Sequence, residues 1–209
     1  MYTVKFEIAG PMAMFTNPDS GSTPCSYPVP TWAAVKGMFE AVARIKQAYI
    51  YPTHIEICRP IRFERYVTNY GGPLRKSDQI SGNNNLQLAA TVLVDVCYRA
   101  YGIVEKSPLD DGQTNYAHAL QEMFLRRLNK GTLFYTPSLG WKEFVPDYFG
   151  PPRAETQTDP TVNLTLPTLL KSPFDAPVSG RWRPIYLVNV QVQNGVLYFD
   201  GRPGGDYAE

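Results

Sequence analysis

Residues 126–144 read RRLNKGTLFYTPSLGWKEF, and the reading of this stretch decides the fold. Two adjacent arginines close a helical pattern and Lys130-Gly131 ends it. A strand-like run follows, finishing in Leu139-Gly140-Trp141-Lys142-Glu143-Phe144. Traced backwards, the pattern predicts a helix over 115–130. Its apolar stripe is Ala117, Leu120, Met123/Phe124 and Leu128, the spacing of a half-buried helix. Arg127 falls at the edge of that stripe. A guanidinium there needs a partner, because a buried unpaired charge is costly. Two partners suit it: a nucleic-acid phosphate, or a carboxylate elsewhere in the fold.

Outward from this stretch, residues 2–9 alternate, with Tyr2, Val4, Phe6 and Ile8 on one face of a first strand. A loop over 10–30 leads to Thr31, a helix N-cap. The next predicted helix runs over 32–47 on Trp32, Val35, Met38/Phe39, Val42 and Ile45, with Lys36, Glu40 and Arg44 as a polar row. Pro52 opens a second strand over 54–63, with Ile55, Ile57 and Ile61 toward the core. Residues 66–85 are polar and glycine-rich and read as a hairpin tip or extended loop, and 91–98 form another strand. The order β–α–β, loop, β–α–β is that of a split βαβ unit. The fold class is therefore α+β: a ferredoxin-like (RRM-like) domain over 1–131 and an antiparallel β extension over 132–209. Within the extension, 146–184 is proline-studded, with one element around 162–170. Residues 185–193 alternate, Asn194-Gly195 signals a type I′ turn, 196–199 return, and 201–209 form a loose tail.

Composition narrows the function. The 209 residues suit one domain of ordinary size, or one domain with an appended subdomain, and 20 basic against 19 acidic residues leave no global basic signature, so nucleic-acid binding must rest on a local patch. Cys25, Cys58 and Cys97 form no CxxC pair and read as buried small hydrophobes. With two histidines in the chain, no metal site is expected. No apolar run approaches the roughly 18 residues of a membrane span, and 1–10 read as a strand rather than a leader, so the expected setting is the cytoplasm, away from membranes.

Four segments carry a family resemblance: YPVPTWAAVKGMFE (27–40), CRPIRF (58–63), QLAATVLVDVCY (87–98) and FLRRLNKGTLFYTPSLGWKEF (124–144). In this order and spacing the chain resembles the fifth CRISPR-associated (Cas) family of the RAMP superfamily, in its subtype I-C branch. The resemblance implies a subunit of an RNA-guided Cascade surveillance complex that grips the 5′ handle of CRISPR RNA (crRNA). Its implied partners are crRNA, precursor repeat RNA, the backbone and large subunits, and target DNA within the complex. It also implies a metal-independent, cofactor-free endonuclease. There the 2′-hydroxyl attacks the adjacent phosphate while the protein supplies acid–base groups and positive charge. The family's pattern has a tyrosine late in the first helix and a Lys-His pair at the start of the second. Alignment on Gly37 puts Ala43 at the tyrosine, and alignment on 124–127 puts Ala119-Leu120 at the Lys-His pair. Alignment from the polar turn puts Thr114-Asn115 there instead. A two-residue extension of the helix brings His118 to the histidine's place, preceded by Ala117.

The candidate catalytic residues are then His118 and Tyr116, with Tyr49 or Tyr51 as further tyrosines beside the first helix. His118 is equally an exposed i, i+4 partner of Glu122. The candidate RNA-binding patch is Lys36, Arg75, Lys76, Arg126, Arg127 and Lys130, with Lys36 also placed for a solvated pair with Glu40. Trp141 and Phe134 are read as core rather than base-stacking residues. Arg181 and Arg183 flank Trp182 and suit RNA or a protein interface alike. Two rivals to the nuclease stand: a non-catalytic scaffold that caps the crRNA handle, and an unrelated RRM-like protein, although no RNP aromatic signature occurs in 2–9 or 91–98.

Overall fold

The structure is a computed structural model and describes residues 1–21, 23–70, 86–173 and 184–199. Arg75, Lys76, Arg181, Trp182 and Arg183 lie outside the described residues. The spine is one long strand, β6 (Leu86–Lys106). Along one side it pairs antiparallel with β1 (Thr3–Ala13). Along the other it pairs first with β5 (Phe63–Tyr70) and then with β4 (Ala48–Ile57). The far edge of β1 receives β7 (Tyr148–Gly150), giving the order β4-β6-β1-β7, antiparallel throughout. Two short strands, β2 (Thr16–Asn17) and β3 (Cys25–Ser26), join at Thr91, where β3 is parallel to β6. A C-terminal set, β8 (Leu164–Ser172), β9 (Ile185–Gln193) and β10 (Val196–Tyr198), continues the same mixed sheet by pairing β10 with β4. The hairpin between β9 and β10 turns on Asn194 (φ 51°) and Gly195 (φ 78°), the positive φ pair that a type I′ turn requires.

Two helices cover one face of this α+β sheet. Helix α1 (Trp32–Val42) starts where Thr31 Oγ1 accepts the Ala34 N–H, and α2 (Tyr116–Lys130) starts where Asn115 Oδ1 accepts the His118 N–H. Val4, Phe6 and Ile8 face the helices. The Phe6 ring is 4.7 Å from Phe39 of α1, and Phe39 is 5.6 Å from Phe124 of α2. Gly102 on β6 lies beneath this contact. A Cβ there would come within 2.8 Å of Ile50 Cγ2 and 3.1 Å of Phe39 Cζ, so the helix layer sits close because this residue has no side chain.

Several predicted elements shift. The first helix stops at Val42 rather than 47, because Ala43 is extended (φ −149°, ψ 137°) and the α1 carbonyls are capped from outside. Arg127 Nη1 donates to the Val42 carbonyl (3.0 Å), and the Phe134 N–H donates to the Ala41 carbonyl (2.7 Å). Arg127 thus spends a donor on a main-chain carbonyl, a partner outside the two considered from the sequence. The strand after α1 begins at Ala48, not 54, and takes in Pro52 at a register shift. It ends at Ile57, so Phe63 opens β5 instead of closing β4. Part of the expected loop over 66–85 is strand, since β5 runs to Tyr70, and Tyr66 packs edge-on against Phe144 at 5.4 Å. The expected strand 91–98 is the middle of the longer β6.

The run after Lys130 forms no strand. It is a connector that caps α1 and then fastens the end of β1, with the Met14 N–H donating to the Leu139 carbonyl (2.9 Å). Gly140 adopts φ 93° there, and a Cβ would fall 1.8 Å from the Met14 carbonyl oxygen. Trp141 is half-buried and stacks on Phe144 at 5.9 Å, whereas Phe134 is 60% exposed instead of core, because its segment lies over the end of α1. Of the cysteines, Cys97 is buried while Cys25 and Cys58 are half-buried.

The opposite sheet face carries charge. Glu7 is 0% exposed, and its carboxylate accepts from the Arg153 main-chain N–H (2.9 Å), Arg153 Nε (2.7 Å), Thr156 Oγ1 (2.9 Å) and Arg99 Nε (3.3 Å). Arg99 also donates to the carbonyls of Arg153 (2.7 Å) and Thr156. This network ties the segment after β7 onto the sheet. Further along, the His54 ring stacks 4.3 Å from Tyr101 and 5.1 Å from Tyr198, joining β4 to β6 and β10.

Candidate nucleic-acid interface

A cleft of about 310 Å³ opens where α1 ends. Its walls are the last turns of α1, the turn into β4 and that strand's first residues, the turn after β6 and Leu120 of α2. Three cations line it, Lys36, Arg44 and Lys46, against one carboxylate, Glu40, which pairs with Lys36 at 3.5 Å. Arg44 and Lys46 are exposed. They stand in an extended turn because α1 has already ended; in a longer helix Arg44 would have stayed in the polar row with Glu40. The surplus of cations around a concave surface is chemistry suited to phosphate. Ala43 lines the same cleft as Leu120. These are the two positions that the family alignments on Gly37 and on 124–127 set at the tyrosine and the histidine, so the fold brings those positions together while the side chains differ.

Tyr49 also lines the cleft, and its hydroxyl donates to Glu105 at 2.5 Å. That bond, with burial and the carboxylate's charge, pushes the phenol up to about 12, so Tyr49 keeps its proton near neutrality and directs it at Glu105. Beside the cleft, Lys36 Nζ lies 5.8 Å from the Trp32 ring, and Lys171 Nζ lies 5.5 Å from both Trp32 and Tyr51. Lys171 arrives from β8, so no local motif signalled this aromatic-cation cluster. Arg44 and Lys46 were likewise absent from the patch expected from sequence.

The remaining expected residues are dispersed. His118 is in the first turn of α2, 55% exposed, with Nε2 3.9 Å from Glu122 and its ring 5.6 Å from Tyr2. It precedes Leu120 by two residues, which turns it well away from the cleft-lining side of the helix. The Tyr116 hydroxyl donates to Asp111 at 3.3 Å. Arg126 and Lys130 are exposed and follow His118 and Glu122 in one i, i+4 row along the outside of α2. Among the described residues, Lys36 is the one member of the expected patch in the cleft. Among the described residues, no group of three or more His, Cys, Asp and Glu is placed to hold a metal ion, and no helix is long and apolar enough to cross a membrane.

This strand-rich α+β fold is shared with several solved structures. A crystal structure of a CRISPR-associated protein superposes with a TM-score of 0.69 at 19% identity, covering 94% of this chain and 91% of that one. A functionally uncharacterized protein from Streptococcus mutans, SMU1763c, gives 0.70 at 18% identity, covering 96% and 92%. A chain of a CRISPR RNA-guided surveillance complex gives 0.54 at 15% identity, covering 93% and 91%. The particular family follows from sequence: the model described as CRISPR-associated protein (Cas_Cas5) matches residues 3–168, and the chain belongs to that family. It is 30% identical over 159 residues to the CRISPR pre-crRNA endoribonuclease Cas5d of Mannheimia succiniciproducens, covering 68% of this chain and 69% of that protein. It is 31% identical over 171 residues to the protein of the same name from Thermus thermophilus, covering 81% and 72%.

Proposed function

We propose that this chain is the handle-binding subunit of a type I-C Cascade complex, holding the 5′ end of crRNA and processing pre-crRNA without a metal ion. The observation that carries RNA binding is the cleft in which Lys36, Arg44 and Lys46 outnumber Glu40. The two relatives named as pre-crRNA endoribonucleases support the processing role. Residues 1–131 act as the ferredoxin-like gripping unit, a reading supported by the strand order β4-β6-β1 with both helices on one face, and 132–209 form the β extension, whose β7 adds to the edge of β1. The wider phosphate patch adds Arg126, Arg127 and Lys130, with Arg75 and Lys76 from the segment outside the described residues. Backbone and large subunits and target DNA are the further partners, and the cytoplasm the setting.

In the processing reaction His118 supplies the acid–base step with Tyr116 beside it, an imidazole being able to give or take a proton. A specific observation favours a second reading: Ala43 and Leu120, which alignment on Gly37 and on 124–127 sets at the family's tyrosine and histidine, meet in the cleft without a proton-transfer group of their own. On that reading the chain caps the handle and another nuclease cuts. Repeat RNA incubated with EDTA separates the two. Cutting that ends in a 2′,3′-cyclic phosphate and disappears both in His118→Ala and on a 2′-deoxy substrate supports processing. Full activity in His118→Ala removes the histidine from the mechanism. Tight binding without cutting selects the cap.

A further inference from the structure

At the other end of β4 from the cleft, the chain turns through residues 58–62 into β5, and there two arginines converge on one acid. Arg59 Nη1 pairs with Asp95 Oδ1 and Arg62 Nη2 with Asp95 Oδ2. Their side chains are 43% and 57% exposed. Asp95 reaches this corner because it sits in the left-handed region, φ 53°, at a break in the β1–β6 ladder opposite Pro11, which has no N–H to donate. One carboxylate cannot neutralise two guanidiniums. The cluster keeps a net positive charge and several outward N–H donors, held in fixed directions by the shared acid. Glu64 and Arg65, both exposed, follow on β5 with opposite charges.

A simple tether of the β4–β5 corner would need one arginine. The second is repelled by the first, and exposed pairs add little stability. We infer that Arg59 and Arg62, spread by Asp95, form a second phosphate-binding site for the RNA backbone, distinct from the cleft. It lies about 33 Å away along the 10 residues of β4 at about 3.3 Å each. This rests on the reading that the chain binds RNA, and it adds that bound RNA is anchored at both ends of β4. Arg is the suitable residue, because its planar fork meets two phosphate oxygens at once.

The test measures binding of the full chain to a fluorescein-labelled single-stranded RNA carrying one CRISPR repeat, across 0.05–0.5 M salt. Each lost single-strand phosphate contact should lower the slope of log affinity against log salt by about 0.7. For Arg59→Gln/Arg62→Gln the slope should fall by about 1.4. Taking the contacts to vanish at 1 M salt, affinity at 0.15 M should fall roughly tenfold. Arg62→Gln alone, which keeps the Arg59–Asp95 pair and with it the corner, should lose about 0.7 of slope and roughly fourfold in affinity. Asp95→Asn, which keeps both cations, should leave the slope as in wild type. Arg44→Gln/Lys46→Gln tests the cleft separately. If the cleft pair weakens binding while both arginine variants bind with wild-type slope and affinity, Arg59 and Arg62 are only a tether and the second site is refuted, with the cleft reading intact. A wild-type chain with no affinity for the repeat RNA would sink both.

Discussion

Replacing Glu7 with glutamine should be among the most damaging near-isosteric changes in this protein. The side chain is 0% exposed, and its two oxygens accept from the Arg153 main chain, two Arg153 guanidinium nitrogens, Thr156 and Arg99. Glutamine keeps the shape. It offers one acceptor oxygen, turns an N–H₂ toward N–H donors, and leaves two guanidiniums against a neutral group. Removing one member of a buried ionic group costs about 3–5 kcal/mol. A domain of this size loses about 2–4 °C of Tm per kcal/mol, so the expected drop is about 6–20 °C. Protonation should mimic the substitution. Burial alone would raise the Glu7 carboxyl, but the main-chain and side-chain hydrogen bonds from Arg153, the Thr156 hydroxyl and the Arg153 charge outweigh it and hold the group below the ordinary carboxylate range. The folded state therefore binds this proton less readily than the unfolded chain. The stabilisation is fully present above the unfolded value of about 4.3 and drains away as pH falls from there toward the folded value. Thermal melts from pH 3 to 8 should show wild type losing stability in that acid window, with Glu7→Gln starting low and varying less. A variant that melts within 2 °C of wild type and keeps the wild-type acid limb would refute the assignment.

Other outcomes follow from the packing and the caps. Gly102→Ala should cost about 1–3 kcal/mol by overpacking, seen as a lower Tm, because the new methyl meets Ile50, Phe39 and the Tyr51 carbonyl. Gly140→Ala should be worse than Gly102→Ala in the same melts, since its obstacle is the Met14 main chain and its φ of 93° strains any side chain. Arg127→Met should lower stability by about 1–3 kcal/mol through the lost bond to the Val42 carbonyl. If Arg127 also touches phosphate, the salt slope of RNA binding should drop by about 0.7 as well. Burial lowers the His54 imidazole, so the unfolded chain takes that proton first and stability should decline as pH falls below about 6.5. His54→Phe, which keeps a ring between Tyr101 and Tyr198, should remove that decline, and an unchanged profile would dismiss the histidine as its source.

Local patterns alone identified both helices by their apolar stripes, the Thr31 N-cap, the inward face of β1 and the Asn194-Gly195 hairpin, because each is set by side chains a few residues apart. The family was legible for the same reason: its segments are contiguous. What sequence could not supply was where elements end when the end is set by a distant partner. The periodicity of α1 continues to Ile45, but Arg127 and Phe134 cap it at Val42 from across the fold. That early exit puts Arg44 and Lys46 into the cleft beside Ala43, Tyr49 and Leu120. The connector after Lys130 looked like a strand because Leu133, Phe134 and Tyr135 are strand-forming residues, and the fold uses its main chain as a cap instead. Glu7 alternated as an outward polar residue until Arg99 and Arg153, remote in sequence, closed over it. Short-range periodicity and capping are written in neighbouring residues, whereas burial of a charge and the meeting of cations depend on three-dimensional closure.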